Sequence, residues 1–417
     1  MNSKTAVIAG FDTVSPLGTE LSAQWERALE GKSGIGPLTR FPLADDFPVR
    51  IAGQVPDFDP APYPFLSPRA MAHWTSPVFP HALLTVHRAL NHSGIEIDST
   101  LAPRVAITFS SAVGGQDAVL AADRRMIAEH KLPHPFTNPN SCINMVGGKV
   151  SILTGATGPI LSTITACATG LTSIITGAML IRQGMADVVI CGAVDFALVE
   201  PIVAGFFTMN GAFNPKPGLK AEPPHRASRP FSVDRRGFVI SEGAAAIVLC
   251  SHEFSRAHGL DPKIALAGYA MTSDAHHFVA PNLATVSRCI RESLADARIE
   301  ARQIDAVNAH AASTRVGDRV EYDALAENFP GRIPPVTANK SLIGHAMGAS
   351  SAIESVFTIM GMINRTLIPT INYTEDPALP IDCVSEGPRR LEQEFVLKNA
   401  FGFGGCNSCA VFQKINA

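Results

Sequence analysis

Four residues with reactive side chains stand in distinctive local contexts. Cys167 lies in Thr-Ala-Cys-Ala-Thr-Gly, His310 in Asn-Ala-His-Ala-Ala-Ser-Thr, Lys340 in Ala-Asn-Lys-Ser and His345 in Ile-Gly-His-Ala-Met-Gly. A glycine-rich segment, 401–405, follows near the C-terminus. Together they supply a thiol nucleophile, two imidazole donors and a backbone that can approach a substrate closely. These are the groups needed to form a carbon–carbon bond from thioesters.

Cys167 is predicted to open a helix directly after a short strand at Ile160–Ile164. A thiol at that place would feel the positive end of the helix and its unpaired backbone amides, which lower the pKa and favour the thiolate. The alternative is an ordinary buried cysteine, which is the commoner fate of this residue type. Small and polar neighbours favour the nucleophile.

The two histidines and the lysine are predicted to lie at the ends of regular elements. His310 ends a strand-like run, and His345 begins an apolar helix. Lys340 follows another strand-like run. A lysine at the end of an apolar strand needs an ion-pair or hydrogen-bond partner, or has a functional role. Either histidine alone would be interpreted as a structural residue. The occurrence of Lys340 five residues before His345 favours a functional role for these residues.

The bulk composition indicates a globular protein with two core-forming units. The chain has 417 residues, of which 46% are hydrophobic and 17% charged, with a formal charge of −3. That length exceeds what one hydrophobic core usually supports. The charge gives no reason to expect nucleic acid or an anionic membrane as a partner. Without a membrane-spanning run or a secretory leader pattern, we expect a cytoplasmic protein.

The eight cysteines are scattered and predict reduced, buried thiols rather than disulfides. Cys406 and Cys409 form a CxxC, but no second CxxC exists to complete a zinc site. The sequence continues Ala-Val-Phe, as a strand would. We therefore interpret both as core cysteines and predict no metal.

Strand-like runs alternate with helical periodicity, which indicates an α/β fold. The runs are Val105–Phe109, Val188–Ala193 and Ala244–Leu249. Apolar residues recur at helical spacing after both Cys167 and His345, and the two segments begin alike, Cys-Ala-x-Gly and His-Ala-x-Gly. We predict a duplicated half, with residues 1–255 carrying the cysteine and 256–417 the His/Lys/His set and the glycine turn.

Over nearly its whole length the chain resembles the β-ketoacyl-acyl carrier protein synthases, of the discrete elongating type in the thiolase-like superfamily. The resemblance rests on the order Cys-His-Lys-His and on flanking segments, namely Gly10–Gly18, Gly31–Ile35, Ser67–Arg69, Ala227–Val239 and Asn399–Gly405. It implies a five-layered α-β-α-β-α fold of two related halves, and a homodimer. It also implies decarboxylative condensation of an acyl group with malonyl-acyl carrier protein.

The resemblance also implies a role for each site residue. Cys167 would hold the acyl group, and the amides of Cys167 and Phe403 would form an oxyanion hole. His310 and His345 would bind the malonyl carbonyl oxygen as it becomes negative. Lys340, paired with Glu354, would hold the histidine region electrostatically. Two further acidic residues would support it, Asp318 and Glu321. No cofactor is implied, because decarboxylation drives the reaction.

The chain departs from the family pattern beside the first histidine. The family usually reads His-Gly-Thr-x-Thr, where two threonines bind the pantetheine arm, and here Ala311 and Ala312 replace the glycine and one threonine while Thr314 remains. The lost hydrogen bond is worth about 0.5–1.5 kcal/mol. Other expected pocket or gate positions are Val113, Phe206 and Phe403. The expected basic docking patch is thin, with Arg69, Arg124, Arg125 and Lys131 as candidates.

Two alternatives remain beside the condensing enzyme. One is a non-catalytic partner that sets chain length in a ketosynthase heterodimer, although such partners usually lack the nucleophilic cysteine. The other is a related acyltransferase or thiolase, which would use a second cysteine near the glycine turn, where Cys406 and Cys409 lie. Three properties stay open at this point: the length of the acyl chain, the identity of the carrier protein, and whether the pathway makes fatty acids, polyketides or polyenes.

Overall fold

The computed structural model describes residues 3–214 and 222–415. Its strands are β1 Ala6–Val14, β2 Ile35–Pro37, β3 Ile51–Gly53, β4 Val105–Ser110, β5 Val188–Phe196, β6 Glu242–Ser251, β7 Ile264–Ser273, β8 Ala306–Asn308, β9 Val336–Thr337, β10 Thr366–Leu367, β11 Arg389–Arg390, β12 Phe395–Gly402 and β13 Cys406–Lys414. Its helices are α1 Leu21–Leu29, α2 Pro68–Met71, α3 Val78–Ser93, α4 Gln116–Glu129, α5 Thr137–Ser141, α6 Asn144–Thr154, α7 Thr169–Arg182, α8 Glu200–Thr208, α9 His252–Ala257, α10 Leu283–Ala297, α11 Arg315–Asn328, α12 Lys340–Ile343 and α13 Met347–Asn364.

Nine strands form one mixed sheet in the order β4-β5-β6-β1-β7-β13-β12-β8-β9. In its first part β4 is parallel to β5, and β6 is antiparallel to both β5 and β1. In its second part β8 is parallel to β12, and β13 is antiparallel to both β12 and β7. The two parts join through the single pair Val7 and Ala265. The same strand order and directions recur, which is the duplication that the sequence predicts.

The helices complete five layers around these two parts of the sheet. Helices α7 and α13 pack against each other and contact strands of both parts, so they form the central layer. Helix α3 covers the outer face of the first part, and α10 with α11 covers that of the second. The mixed α/β, thiolase-like architecture is confirmed.

Burial on both faces explains why the central elements are largely apolar on every side. All residues of β5 and β6 are buried, which suits continuous apolar runs rather than alternating ones. In α13, fifteen of eighteen residues are buried, as expected for a helix between two sheets. Across the described ranges, no helix has both the length and the apolarity needed to cross a bilayer.

Several sequence predictions are corrected locally. Ile160–Ile164 is not a ladder strand, since only Ile160 makes an isolated bridge, to Ile107. The cysteines are all free, but Cys142 is exposed and Cys406 is half-buried, so not every thiol is in the core. The predicted division between residues 255 and 256 falls inside α9 and stays a prediction.

Candidate active site

A cavity of about 660 Å³ brings together the thiol, both histidines and the glycine turn. Cys167 comes from the first half of the chain, whereas His310, His345 and Phe403 come from the second. Each stands just beyond a regular element, where side chains and backbone amides can face a common space. The structure therefore assembles the residues that the sequence singles out.

Cys167 lies in a short 3₁₀ turn, Ala166–Ala168, two residues before α7, rather than at the first residue of a helix. Burial raises the pKa of its thiol to about 11, although Lys340 and the Phe403 amide act in the opposite direction. The prediction of a lowered pKa is therefore wrong, because loss of water outweighs the helix end. The resting group is a thiol.

Two backbone amides face the sulfur of Cys167, its own and that of Phe403. The β12–β13 hairpin carries Phe403, and the preceding Gly402 allows its backbone to come this near. A Cβ at Gly402 would lie 2.2 Å from the carbonyl oxygen of Thr165 and 3.2 Å from the nitrogen of Cys167. Two converging N–H groups beside a nucleophile are the elements of an oxyanion hole.

The imidazoles of His310 and His345 lie with ring centroids 5.8 Å apart and nearly perpendicular. His345 precedes α13 by two residues, and its Nδ1 lies 2.9 Å from the hydroxyl of Ser350. Burial, with the charge of Lys340, holds the pKa of both imidazoles well below the usual value. Both rings are therefore uncharged at neutral pH and can donate an N–H to an oxygen.

Lys340 opens α12 and lies outside the lining of the cavity, where only 1% of its side chain is exposed. Its ammonium donates to Glu354 Oε1 at 2.5 Å and to the backbone oxygen of His310 at 2.6 Å. The ion pair with Glu354 is the one that the family resemblance implies. It fixes the backbone that carries the first histidine.

Glu321 and Asp318 hold the loop between β8 and α11. Glu321 accepts the backbone N–H groups of His310, at 2.8 Å, and Ala311, at 2.7 Å. Asp318 accepts those of Phe231 and Thr314, and burial raises its pKa to about 7. Ala311 has a φ of +20°, a left-handed conformation that glycine adopts more easily. These carboxylates therefore stabilise a loop that departs from the family at a strained position.

The cavity wall beyond the histidines is largely apolar. Phe206 and Phe238 stack edge to face at 5.5 Å, and Ala312 and Thr314 also line the space. The Thr314 hydroxyl oxygen accepts the Gly317 N–H as a helix cap, which leaves its proton available to a substrate. Val113 is not among the described residues lining the cavity and packs in the apolar cluster behind it.

The candidate docking residues are exposed but carry local counterions. Arg124 pairs with Glu200, while Arg125 and Lys131 both approach Glu129. Exposed pairs of this kind contribute little free energy, so a charged partner can displace them. Arg69 lies exposed on α2.

Two buried charged residues of this region were missed from the sequence. Lys398, on β12, donates to Glu354 Oε2 at 2.6 Å, so that Glu354 joins two lysines. The carboxylate of Asp195, on β5, lies near the Cys167 thiol, and its charge raises the pKa of that thiol. It accepts the backbone N–H groups of Ala112 and Val113. Both Lys398 and Asp195 could have been flagged from the sequence, because each is an ionisable residue inside an apolar strand-like run.

The second-cysteine alternative finds no support in the geometry. Cys409 is fully buried on β13 and donates towards Asn399, and neither it nor Cys406 is among the described residues lining the cavity. Within the described ranges, no group of three or more His, Cys, Asp or Glu residues could hold a metal ion.

Comparisons with known proteins agree with this geometry. Residues 3–255 match the model of the beta-ketoacyl synthase N-terminal domain, and residues 264–374 that of the C-terminal domain. A 3-oxoacyl-[acyl-carrier-protein] synthase 2 of Coxiella burnetii is 34% identical, with each chain covered completely.

Solved structures show the same relationship. A beta-ketoacyl synthase from Burkholderia phymatum is 28% identical with a TM-score of 0.90, covering 99% of this chain and 100% of that one. The ishigamide ketosynthase/chain length factor is 27% identical, also with a TM-score of 0.90, and both chains are covered completely. With both family domains matched and a full-length relative above 30% identity, the chain belongs to the beta-ketoacyl synthase family.

Proposed function

We propose that this protein is a β-ketoacyl-acyl carrier protein synthase that condenses a Cys167-bound acyl group with malonyl-acyl carrier protein. The reaction is decarboxylative and elongates a fatty-acid or polyketide chain, polyenes included. The observation that carries the proposal is the single cavity shared by Cys167, His310 and His345, with two backbone amides at the sulfur. The full-length relative is named for the same reaction.

In the first step, the sulfur of Cys167 attacks the acyl thioester carbonyl of the carrier protein. Negative charge develops on that oxygen, where the amides of Cys167 and Phe403 can receive it. The bond to the pantetheine sulfur then breaks, and the proton of the Cys167 thiol ends on the leaving sulfur. A raised thiol pKa is compatible with this exchange, because the proton transfers during attack rather than beforehand.

In the second step, the malonyl thioester loses carbon dioxide. The electron pair of the broken carbon–carbon bond stays on the thioester fragment, which becomes an enolate. His310 and His345, both uncharged, donate N–H groups to the enolate oxygen. The enolate carbon attacks the acyl carbonyl, and the bond to Cys167 breaks. The released thiolate of Cys167 takes up a proton from solvent water, which restores the resting thiol. Decarboxylation supplies the driving force, so the mechanism requires no metal or redox cofactor.

The partner is an acyl carrier protein whose phosphopantetheine arm delivers both acyl and malonyl groups. Thr314 donates to this arm, Phe206 and Phe403 line its approach, and Val113 limits acyl depth from behind the cavity. The active form is a homodimer, and the protein works in the cytoplasm. Residues 1–255 and 256–417 act as two thiolase-like halves, which the recurring strand order supports.

Acylation of Cys167 is the direct test of the first step. The protein is incubated with acyl carrier thioesters of increasing chain length, and its intact mass is measured for wild type and Cys167→Ala. We expect an acyl adduct in the wild type that the variant lacks. No adduct with any chain would reject the condensing-enzyme assignment, and the panel also reads out chain-length preference.

A chain-length partner of a ketosynthase heterodimer is the second candidate, since one similar structure contains a chain length factor. Such a subunit would form no adduct alone and would change the product length of a catalytic sister. If the wild type decarboxylates malonyl-acyl carrier protein and His310→Ala does not, the result supports the condensing-enzyme assignment and opposes this alternative.

A further inference from the structure

Lys398 is a fully buried lysine to which the reaction steps above assign no role. It lies in the middle of β12, with 0% of its side chain exposed. Its ammonium donates to Glu354 Oε2 at 2.6 Å and to the backbone oxygen of Asn399 at 2.7 Å. An ammonium held away from water is costly unless it is paired, so this contact calls for a physical explanation.

Glu354 is shared, because Lys340 occupies its other oxygen at 2.5 Å. All three side chains are at most 1% exposed. Two ammonium groups and one carboxylate sum to +1 − 1 + 1 = +1. Lys340 also binds the backbone oxygen of His310 at 2.6 Å, which attaches this Lys–Glu–Lys trio to the first histidine. The trio by itself therefore carries a net positive charge, and it lies beside the histidine pair.

Burial lowers the pKa of Lys398, and the charge of Glu354 opposes that shift. Three other titratable groups lie near Lys398. They are the carboxyl of Glu321, the thiol of Cys409 and the imidazole of His310. Glu321 accepts the backbone N–H groups of His310 and Ala311 and a side-chain N–H of Asn399. Burial raises its pKa, whereas these hydrogen bonds and the charge of Lys398 oppose the shift. Burial also raises the pKa of Cys409, so that thiol is neutral. On the adjacent strands, Asn308 and Ala410 pair with Lys398 and are uncharged.

We propose that Lys398 is a positioning residue that shares Glu354 with Lys340 and thereby gives the Lys–Glu–Lys trio a net positive charge beside His310. This inference rests on the condensation proposed above. The charge disfavours an imidazolium at His310 or His345, so both remain neutral N–H donors as the medium becomes more acidic. The same charge favours the enolate that these donors bind.

Charge arithmetic separates this role from simple support of the fold. Lys398→Met leaves a trio charge of +1 − 1 = 0, Glu354→Gln leaves +1 + 1 = +2, and the double variant leaves +1 again. The double variant lacks both ion pairs but has the wild-type charge. A purely structural role predicts that it behaves worse than either single variant, whereas the electrostatic role predicts that it returns towards wild type.

The first measurement is malonyl carrier decarboxylation against pH for wild type and the three variants. We expect the acid limb to move to higher pH by about one unit in Lys398→Met and to lower pH in Glu354→Gln. In the double variant it should return to within a few tenths of a unit of wild type. If Lys398→Met does not fold, Glu354→Gln and the double variant still differ by one charge, and an upward shift between them is required.

The second measurement is a proton–carbon NMR titration of the histidine Cε1–H groups, with the His310 signal assigned from His310→Asn. It needs no turnover, and we expect the midpoint for His310 to rise in Lys398→Met and fall back in the double variant. Unchanged midpoints would overturn the role of Lys398, even if wild type decarboxylates malonyl carrier. Shifted midpoints without any wild-type decarboxylation would instead overturn the proposed function and leave the charge effect standing.

Discussion

Replacing Ala311 with glycine isolates the backbone strain beside the first histidine. Ala311 has a φ of +20° and is fully buried, and its neighbour Ala309 is 1% exposed without a positive φ. Either substitution removes one buried methyl group, about 0.8 kcal/mol, and adds glycine backbone entropy, about 0.5–1 kcal/mol. Only at Ala311 does glycine relieve a left-handed conformation, which costs an L-residue about 1–2 kcal/mol.

These contributions give distinct expectations for the free energy of unfolding. Ala309→Gly should lose about 1.3–1.8 kcal/mol, whereas Ala311→Gly should lie near zero, a difference of about 1–2 kcal/mol. Urea denaturation measures both variants at the same protein concentration, because the stability of any oligomer depends on concentration. Equal losses in the two variants would refute the strain, and with it the view that Glu321 holds Ala311 in an unfavourable conformation through its 2.7 Å bond.

Three further predictions follow from the site and the core. The rate of alkylation of Cys167, followed by peptide mass, should rise about tenfold per pH unit from pH 7 to 10, because burial raises the pKa of its thiol to about 11. A rate that levels off above about pH 9.5, as for a free cysteine of pKa about 8.5, would contradict this. Ala312→Thr should lower KM for carrier substrates about 2–10-fold at constant kcat through a new hydrogen bond, while the isosteric Ala312→Val should not. Asp12→Asn should raise the free energy of unfolding at pH 8 but hardly at pH 5. Burial raises the pKa of Asp12 to about 8, although the charge of Arg88 opposes this. The free energy of unfolding of the wild type should therefore fall by up to about 1.4 kcal/mol per pH unit between pH 4 and 8. Equal pH dependence of unfolding in wild type and variant would refute this.

The fold could be predicted where the sequence pattern depends on burial alone. The predicted strands Val105–Phe109, Val188–Ala193 and Ala244–Leu249 all lie in strands of the sheet. Ile160–Ile164 failed because an apolar run does not show whether a neighbouring strand is available. Only Ile160 meets one, and it does so through an isolated bridge.

The site residues could be predicted by type and context, but their protonation could not. For Cys167 the local argument, a helix end nearby, predicted a lower pKa than usual. The dominant cause is burial by segments distant in sequence, which raises that pKa instead. Lys398 stands out as a lysine inside the apolar run Phe-Val-Leu-Lys-Asn-Ala-Phe. Its role could not be predicted, because it depends on Glu354, which is distant in sequence.

The echoed motifs Cys-Ala-x-Gly and His-Ala-x-Gly have a common physical basis in the central layer. Cys167 and His345 each precede their helix, α7 or α13, by two residues, and each motif ends in a glycine of that helix. A Cβ at Gly170 would lie 2.5 Å from the nitrogen of Ala352, and one at Gly348 would lie 2.9 Å from Cβ of Thr169. Both glycines therefore permit the close approach of α7 and α13. Because that approach brings the two helix starts together, it also places the thiol and the second histidine on one cavity, although 178 positions separate them (345 − 167).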